Sequence, residues 1–502
     1  MVGILLLLFC LFSRSAIAQE MSLLDLLITK GVISKAEARK LLSGAKGEEA
    51  YNEQALIGLL RAKGILEEED LAQLQGVPLS SVAPTADVTE RLSQLETQQE
   101  ALTAQAQAQA ARQAELKKTS LMSGYDDGFF VRSADGNFSL RVGGWAALHT
   151  LYQQEDTKQN SSFNIDRVRL YTEGFLYKYF QYRIQVETAS STILRDAYLN
   201  LTYLPQANVQ VGQYKVPFSY ESLLTKRYLD LVERSAVVLS TVNPARDIGF
   251  MLHGKLGGGL LAYQLAVLNG SSQNRADTNS AKDLAARFVL APFTTYKDSL
   301  LTGLNFGGAV TYGHQPKGRS IPGTTPIGFE FFQPVDVRGD RLRVGGHLAW
   351  FYGPYSLSGE YIYTSEERQK LGESGENLSD FVTNGGYIGA TWLFSGEQKV
   401  FGRPNRPRLS FLNPFKDMDG WGSWELAARY EYFTLDNEAD GKLGALKRNR
   451  YDAARIGVNW YLNPWTRVSV EYVYSLFDDS NRSPRPGHHS VNSVLSRVQI
   501  EF

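Results

Sequence analysis

Between Phe138 and Phe502 apolar and polar positions alternate with a period of two. Tyr182, Ile184 and Val186 interleave with Arg183, Gln185 and Glu187; Val468, Val470 and Tyr472 with Arg467, Ser469 and Glu471; Val498, Ile500 and Phe502 with Arg497, Gln499 and Glu501. Strict alternation predicts strands with one apolar and one wet face. Sixteen such segments begin near Phe138, Ile165, Gln181, Asp196, Asn208, Asp247, Leu260, Leu284, Leu304, Arg341, Ser356, Phe381, Trp424, Arg455, Thr466 and Val491. Short turns (Pro205-Gln206, Gly257-Gly258, Gly353-Pro354, Asn463-Pro464) alternate with long polar connections at 153–162, 215–245, 270–281, 314–337, 366–379, 436–447 and 478–490. The connection 396–420 is an exception, a long one on the short-turn side. A charge at every other position cannot face lipid without costing a few kcal/mol, so the polar faces must line water. The predicted fold class is all-β: a transmembrane antiparallel β-barrel of about 16 strands over residues 125–502, with an α-helical and coiled-coil extension before it.

The extension has its own periodicities. Residues 1–18 read as a signal peptide: Val2 to Phe12 is apolar, and Ala16-Ile17-Ala18 offers a small-residue cleavage site, although no Lys or Arg opens the segment. A first transmembrane helix is the competing reading, and the run is short for one. Residues 19–76 contain a repeat of period 33, in which the stretch Asp25 to Ile33 returns as Gly58 to Leu66. Each copy reads as a helix ended by glycine, then a turn and a second helix. This helical-hairpin module would dock peptidoglycan or another periplasmic partner, or serve as a spacer. After a linker at 77–87, the spacing of Val88, Leu92, Leu95, Gln99, Leu102, Ala106, Gln109, Gln113 and Leu116 is a heptad seam, so 88–118 is expected to form a coiled coil of two or three chains.

Composition narrows the compartment and the partners. With Lys and Arg at 52 against Asp and Glu at 53, no basic surplus exists to neutralise phosphates, which argues against nucleic-acid binding. The single cysteine, Cys10, lies in the signal, so the mature chain has no disulfide. Mean hydropathy is negative at −0.25, yet the chain carries 7 Trp, 26 Tyr and 25 Phe, as suits strands that meet outer-membrane lipid on one face only. No cofactor or metal is called for: His488-His489 has no carboxylate or cysteine at ligand spacing, and Gly257-Gly258-Gly259 opens no helix. No serine motif accompanies the six histidines, so the chain is not expected to be an enzyme.

The candidate chemistry lies in the connection 215–245. Phe218, Tyr220, Leu223, Leu224, Tyr228, Leu229, Leu231 and Val232 make it less polar than the other loops, which predicts inward folding; packing over a neighbouring subunit is the alternative. Lys215, Lys226, Arg227 and Arg234 would then place fixed charge at a constriction, the means by which pores select ions. Arg167, Arg169, Arg183, Arg341 and Arg343 are candidates on the pore wall. Cross-barrel salt links that stiffen the wall account for such arginines equally well.

Several segments together resemble one family. Asp166-Arg167-Val168-Arg169-Leu170, Leu194-Arg195-Asp196-Ala197-Tyr198, Val211 to Phe218, Pro244-Ala245-Arg246-Asp247-Ile248-Gly249, Trp424 to Tyr430 and Gly457 to Pro464, behind a heptad-bearing segment, are similar to the phosphate-selective porins of the O and P type. The resemblance covers about residues 138–502. It implies a homotrimer of sixteen-stranded barrels in the bacterial outer membrane, an inward third loop, and passive diffusion of small anions such as phosphate, with the helical region in the periplasm. The competing function is an envelope tether whose barrel is mainly an anchor.

Overall fold

Period-two alternation is realised as a closed sheet. The computed structural model describes residues 97–112 and 120–502, apart from 155, 192, 243–244, 278, 297–298, 401, 404, 413–419 and 437–447, together with positions 34 and 59. The predicted signal, repeat module and linker therefore lie outside the described residues. The chain divides into two compact units, Met1–Gln109 and Ala110–Phe502. In the described stretch 97–112 (α1) the backbone is helical and every residue is exposed, with Leu102 of the heptad seam 66% accessible.

The second unit opens with two short strands, β1 (Leu121–Tyr125) and β2 (Phe129–Ser133). Next come β3 (Ser139–Gln153), β4 (Ser162–Leu176), β5 (Phe180–Glu187), β6 (Leu194–Leu204), β7 (Ala207–Lys215), β8 (Arg246–Leu256), β9 (Leu261–Leu268) and β10 (Asp283–Leu290). The sheet continues through β11 (Asn305–Arg319), β12 (Asp336–Tyr352), β13 (Tyr355–Arg368), β14 (Leu378–Leu393), β15 (Ser423–Leu435), β16 (Asn449–Tyr461), β17 (Thr466–Phe477) and β18 (Ser490–Glu501). From β3 to β18 each strand pairs antiparallel with the next, and β18 returns to β3, giving a barrel of sixteen. The sixteen expected segments are these strands; the widest offset in start is at β16, which begins at Asn449 rather than Arg455.

The hairpin β1–β2 departs from the expectation. In its three-residue loop, Asp126 to Gly128, Asp127 and Gly128 take positive φ, 50° and 131°, backbone that short hairpin loops use to follow the twist of their strands. β3 is shared along its length: residues 145–153 pair with β18, and residues 139–142 pair with β2. Between the two, Gly144 and Phe502 exchange both backbone hydrogen bonds, at 2.8 and 2.9 Å.

Side chains divide by face as the pleat requires. Along β17 Val470 is 50% exposed to the outside, whereas its neighbour Glu471 is 1% exposed and points inward. At the short-turn rim aromatic side chains form a girdle, with Trp424 stacked on Trp460 at 5.2 Å and Trp350 on Tyr352 at 6.1 Å. Such rings belong at the membrane–water interface.

Two further long connections turn inward, and one of them, 314–337, corrects the expectation of a polar loop. Residues 320–335 bury Ile321, Ile327, Phe331 and Phe332. Phe331 and Phe332 pack on Phe433 at 5.9 and 5.7 Å, and Phe332 on Phe381 at 5.9 Å, filling the long-loop half of the lumen beside β14–β16. On the opposite rim the 396–420 connection sends Lys399 inward to bridge Asp230 and Glu425.

Because the sixteen strands pair only with one another and with β1–β2, a chain lacking residues 19–119 is expected to fold and show a β-dominated circular dichroism spectrum. Extending the deletion through Asn137 removes the four β2–β3 residue pairs and should cost about 2–4 kcal/mol, at roughly 1 kcal/mol per lost hydrogen bond. A lower melting temperature for the second deletion only is the expected reading; collapse of the first would overturn the modular division.

Candidate functional site

The segment between β7 and β8 is the third connection on the long-loop side, and it folds into the lumen. The fold places its apolar residues in the core, with Phe218, Ala236 and Val237 fully buried and Leu229, Leu231 and Val232 nearly so. It contains a helical turn, α2 (Tyr220–Leu223), and a short helix, α3 (Ala236–Thr241). A buried loop exposes unpaired backbone groups that must be satisfied, and the barrel wall satisfies them. Glu360 on β13 accepts from Tyr220 N at 2.7 Å, Glu221 N at 3.2 Å and Ser219 Oγ at 3.1 Å. Ser219 sits at φ 67°, a costly conformation for a non-glycine residue that these bonds hold in place. Glu471 accepts from Val232 N at 2.7 Å. Arg455 donates to Glu233 O and Arg234 O, Arg467 to Leu229 O, Arg497 to Lys226 O, Leu231 O and Val232 O, and Asn459 to Asp230 O.

The expected loop cations are all in this region, each with partners. Lys226, 2% exposed, forms ion pairs with Asp166 at 2.8 Å and with Glu233. Arg227 pairs with Glu501 at 3.2 Å and lies over Tyr228. Arg234 donates to Leu224 O at 2.8 Å. Lys215, at the end of β7, donates to the carbonyls of Ser222, Leu223 and Leu224 at 2.8–3.0 Å and so caps the open end of α2. His149, Asp166 and Glu233 bring candidate ligand atoms within 4.8 Å of one another, but the ammonium of Lys226 already pairs with both carboxylates.

The loop is anchored on β12–β18 and β4, leaving the passage along β4–β10. Of the expected wall residues, Arg169 binds Glu187 at 2.7 Å, Arg183 binds Glu173, Arg341 binds Asp283 at 3.1 Å, and Arg167 lies 3.5 and 3.6 Å from Asp166 and Glu187. Arg343 is buried and donates to Thr311 Oγ1 and to Thr241 O, so it supports α3.

Two further arginines stand in the same passage, and strict alternation overlooks one of them. In the β5–β6 register Gln185 faces Asp196 and Val186 faces Leu194, so Arg195 is the extra residue of a β-bulge, which re-aims a side chain. Asp166 is the extra residue of a second bulge, between β3 and β4. Arg246 opens β8 and binds Asp196 through two bonds of 2.8 and 3.1 Å. Arg195 lies within electrostatic reach of Arg246, Arg169 and Arg167 and of the Glu187 carboxylate, and its Nε is buried with no hydrogen-bond partner among the described residues. Lys215 and Arg234 face the same group. With Lys226 included, seven cations (residues 167, 169, 195, 215, 226, 234 and 246) meet four carboxylates, Asp166, Glu187, Asp196 and Glu233, leaving a surplus of three positive charges among the described residues at the narrowing. What this arrangement offers is fixed positive potential.

Removing one partner from a buried ion pair strands the other charge, at about 3–5 kcal/mol. Lys226→Met is therefore expected to loosen the loop from Asp166, seen as a lower melting temperature and noisier open-channel current. Burial alone would raise the Glu233 carboxyl, but Lys226 and Arg234 draw it well below the usual range. Its stabilisation is then complete above the ordinary carboxylate range and is lost only as pH falls through the depressed native value. Open-channel noise should accordingly stay flat from pH 8 down to about pH 4; a rise near pH 5 would contradict the anchor.

Comparison with known proteins identifies the family of the barrel. The family model for phosphate-selective porin O and P matches residues 138–502. Porin O of Pseudomonas aeruginosa is 22% identical over 413 residues, covering 75% of this chain and 91% of that protein. Among solved structures, a loop L8 deletion mutant of OmpT, an outer-membrane protein of Vibrio cholerae, aligns with a TM-score of 0.47 at 10% identity, over 73% of this chain and all of that one. An anion-selective porin from Comamonas acidovorans aligns at 0.45 and 12% identity, also over 73% and 100%. With its family model matched along the whole barrel, the chain belongs to the phosphate-selective porin O and P family.

Proposed function

We propose that this protein is an outer-membrane channel through which small anions, phosphate among them, diffuse passively. The carrying observation is the surplus of arginine and lysine on the open flank, centred on Arg195, whose guanidinium Nε has no partner. The opposite flank supports the same reading: there Arg429, Arg455, Arg467 and Arg497 hold the inward loop, so their charge is committed to protein partners. Of the residues first expected to select, Arg167 stands nearest to water, whereas Lys226 and Arg234 act mainly as anchors. Membership of a family described as phosphate-selective, and likeness to Porin O, point in the same direction.

We further infer a homotrimer with residues 19–118 in the periplasm. The heptad seam supports it, because Leu102 stands exposed on α1 and an isolated helix of this composition buries too little to be stable alone. Cross-linking of the full chain in membranes should then trap a species of three copies, and changing Leu95 and Leu102 to Asn should weaken it.

A fixed charge a few ångströms from an ion shifts its energy by about 1 kcal/mol even at high dielectric. Neutralising Arg167 and Arg195 together should therefore move reversal potentials in a potassium chloride gradient toward the cation by roughly tenfold in permeability ratio. Arg141→Gln, at the exposed rim, should have little effect, since charge there is screened within a Debye length. Equal effects from the two variants would refute the proposed filter.

A further inference from the structure

Beyond the narrowing, toward the short-turn mouth, the lumen wall of β6–β10 holds a cavity of about 470 Å³. Its place follows from register: Asn208, His253, Gln264 and Arg287 form one row across β7, β8, β9 and β10, and Lys255 and Ala262 form the next row toward the mouth. The turn residue Pro205 closes it from below.

The charge here differs from that of the narrowing. Arg287 has a hydrogen bond to Gln264 Oε1 at 3.1 Å and no ion pair among the described residues. Lys255 is exposed and forms no ion pair among the described residues. Among the described residues no Asp or Glu lines the cavity. The carboxylate that acts on Arg287 from a distance, Glu360, already accepts from Ser219, Tyr220 and Glu221 of the inward loop. His253 is engaged by Asn200 Oδ1 at 3.0 Å. Between Arg287 and Lys255 the wall is mostly carbon, from Pro205, Ala262 and the Lys255 stem.

We propose that this cavity is a binding site for small organic carboxylates that carry an apolar body, separate from the cationic narrowing. Two cations without carboxylate partners supply the carboxylate recognition, with the Arg287 guanidinium matched to it in two-pronged geometry. The carbon walls give an apolar body a surface to leave water for. Inorganic phosphate, strongly hydrated and without an apolar part, gains little from such walls. The volume lies in the range of small-molecule sites. The site would hold an organic anion at the periplasmic mouth and make its residence longer than that of chloride.

The test uses the full-length protein in planar bilayers, with sodium benzoate as probe and sodium phosphate and cyclohexanol as comparisons. Benzoate at millimolar concentration should block the chloride current in resolvable steps, cyclohexanol should not, and Arg287→Gln should weaken the benzoate block at least tenfold. Block by phosphate should change by less than threefold in the same variant. Arg287→Lys, which keeps the charge but loses the planar fork, should fall between. A benzoate block untouched by Arg287→Gln, or benzoate and phosphate weakened alike, would overturn the proposal. If benzoate has no effect while the channel still prefers chloride to potassium, the cavity reading fails and the anion-channel reading stands; a channel without chloride preference would instead refute the latter.

Discussion

The structure turns on the need to satisfy a loop backbone inside a barrel. Drawing some thirty residues of connection into the lumen removes water from their amides and carbonyls, and each group left unpaired would be costly. The alternation that makes the wall also supplies the remedy, because inward positions on β13 and β15–β18 carry carboxylates, guanidiniums and an amide that reach the loop. Glu360 and Glu471 take its N–H groups, while Arg455, Arg467 and Arg497 take its carbonyls. The same residues that a lipid-facing pattern requires to point inward thus become the loop's hydrogen-bonding frame.

An asymmetric pore follows. Charges on the anchoring flank are consumed in pairing, and the apolar packing of residues 320–335 fills the lumen above it. The β4–β10 flank leaves Arg195 without an ion pair among the described residues and Arg167 partly exposed, so positive potential collects on one side. A ring of evenly distributed charge would have needed a symmetric loop.

The strand order, strand number and inward third loop were legible in the sequence because period two, turn length and loop apolarity are local properties. The functional arginines were less so. Arg195 lies in the segment Leu194 to Tyr198, but a rule of strict alternation gives the inward place to Asp196; the bulge that turns both residues inward depends on pairing with β5. The role of Lys226 was equally hidden, since its partner Asp166 is 60 residues away and is itself a bulge residue. The hairpin β1–β2 had a visible sign, Asp127-Gly128, that was overshadowed by the stronger signal beginning at Phe138. Ile321, Ile327, Phe331 and Phe332 likewise marked 320–335 as apolar within a stretch rich in Gly and Pro.

The shared edge of β3 bears on the order of assembly. Its partner β18 is separated from it by most of the chain, so this pairing carries the largest loop-closure cost and the slowest expected step. Until it forms, the edge of β3 presents open N–H and C=O groups, a template for mispairing with another copy. β2 lies only a few residues upstream and can cover residues 139–142 at once. The hairpin then acts as a temporary guard on the unfinished seam, leaving uncovered only the span that β18 will occupy and so favouring the register in which Phe502 meets Gly144.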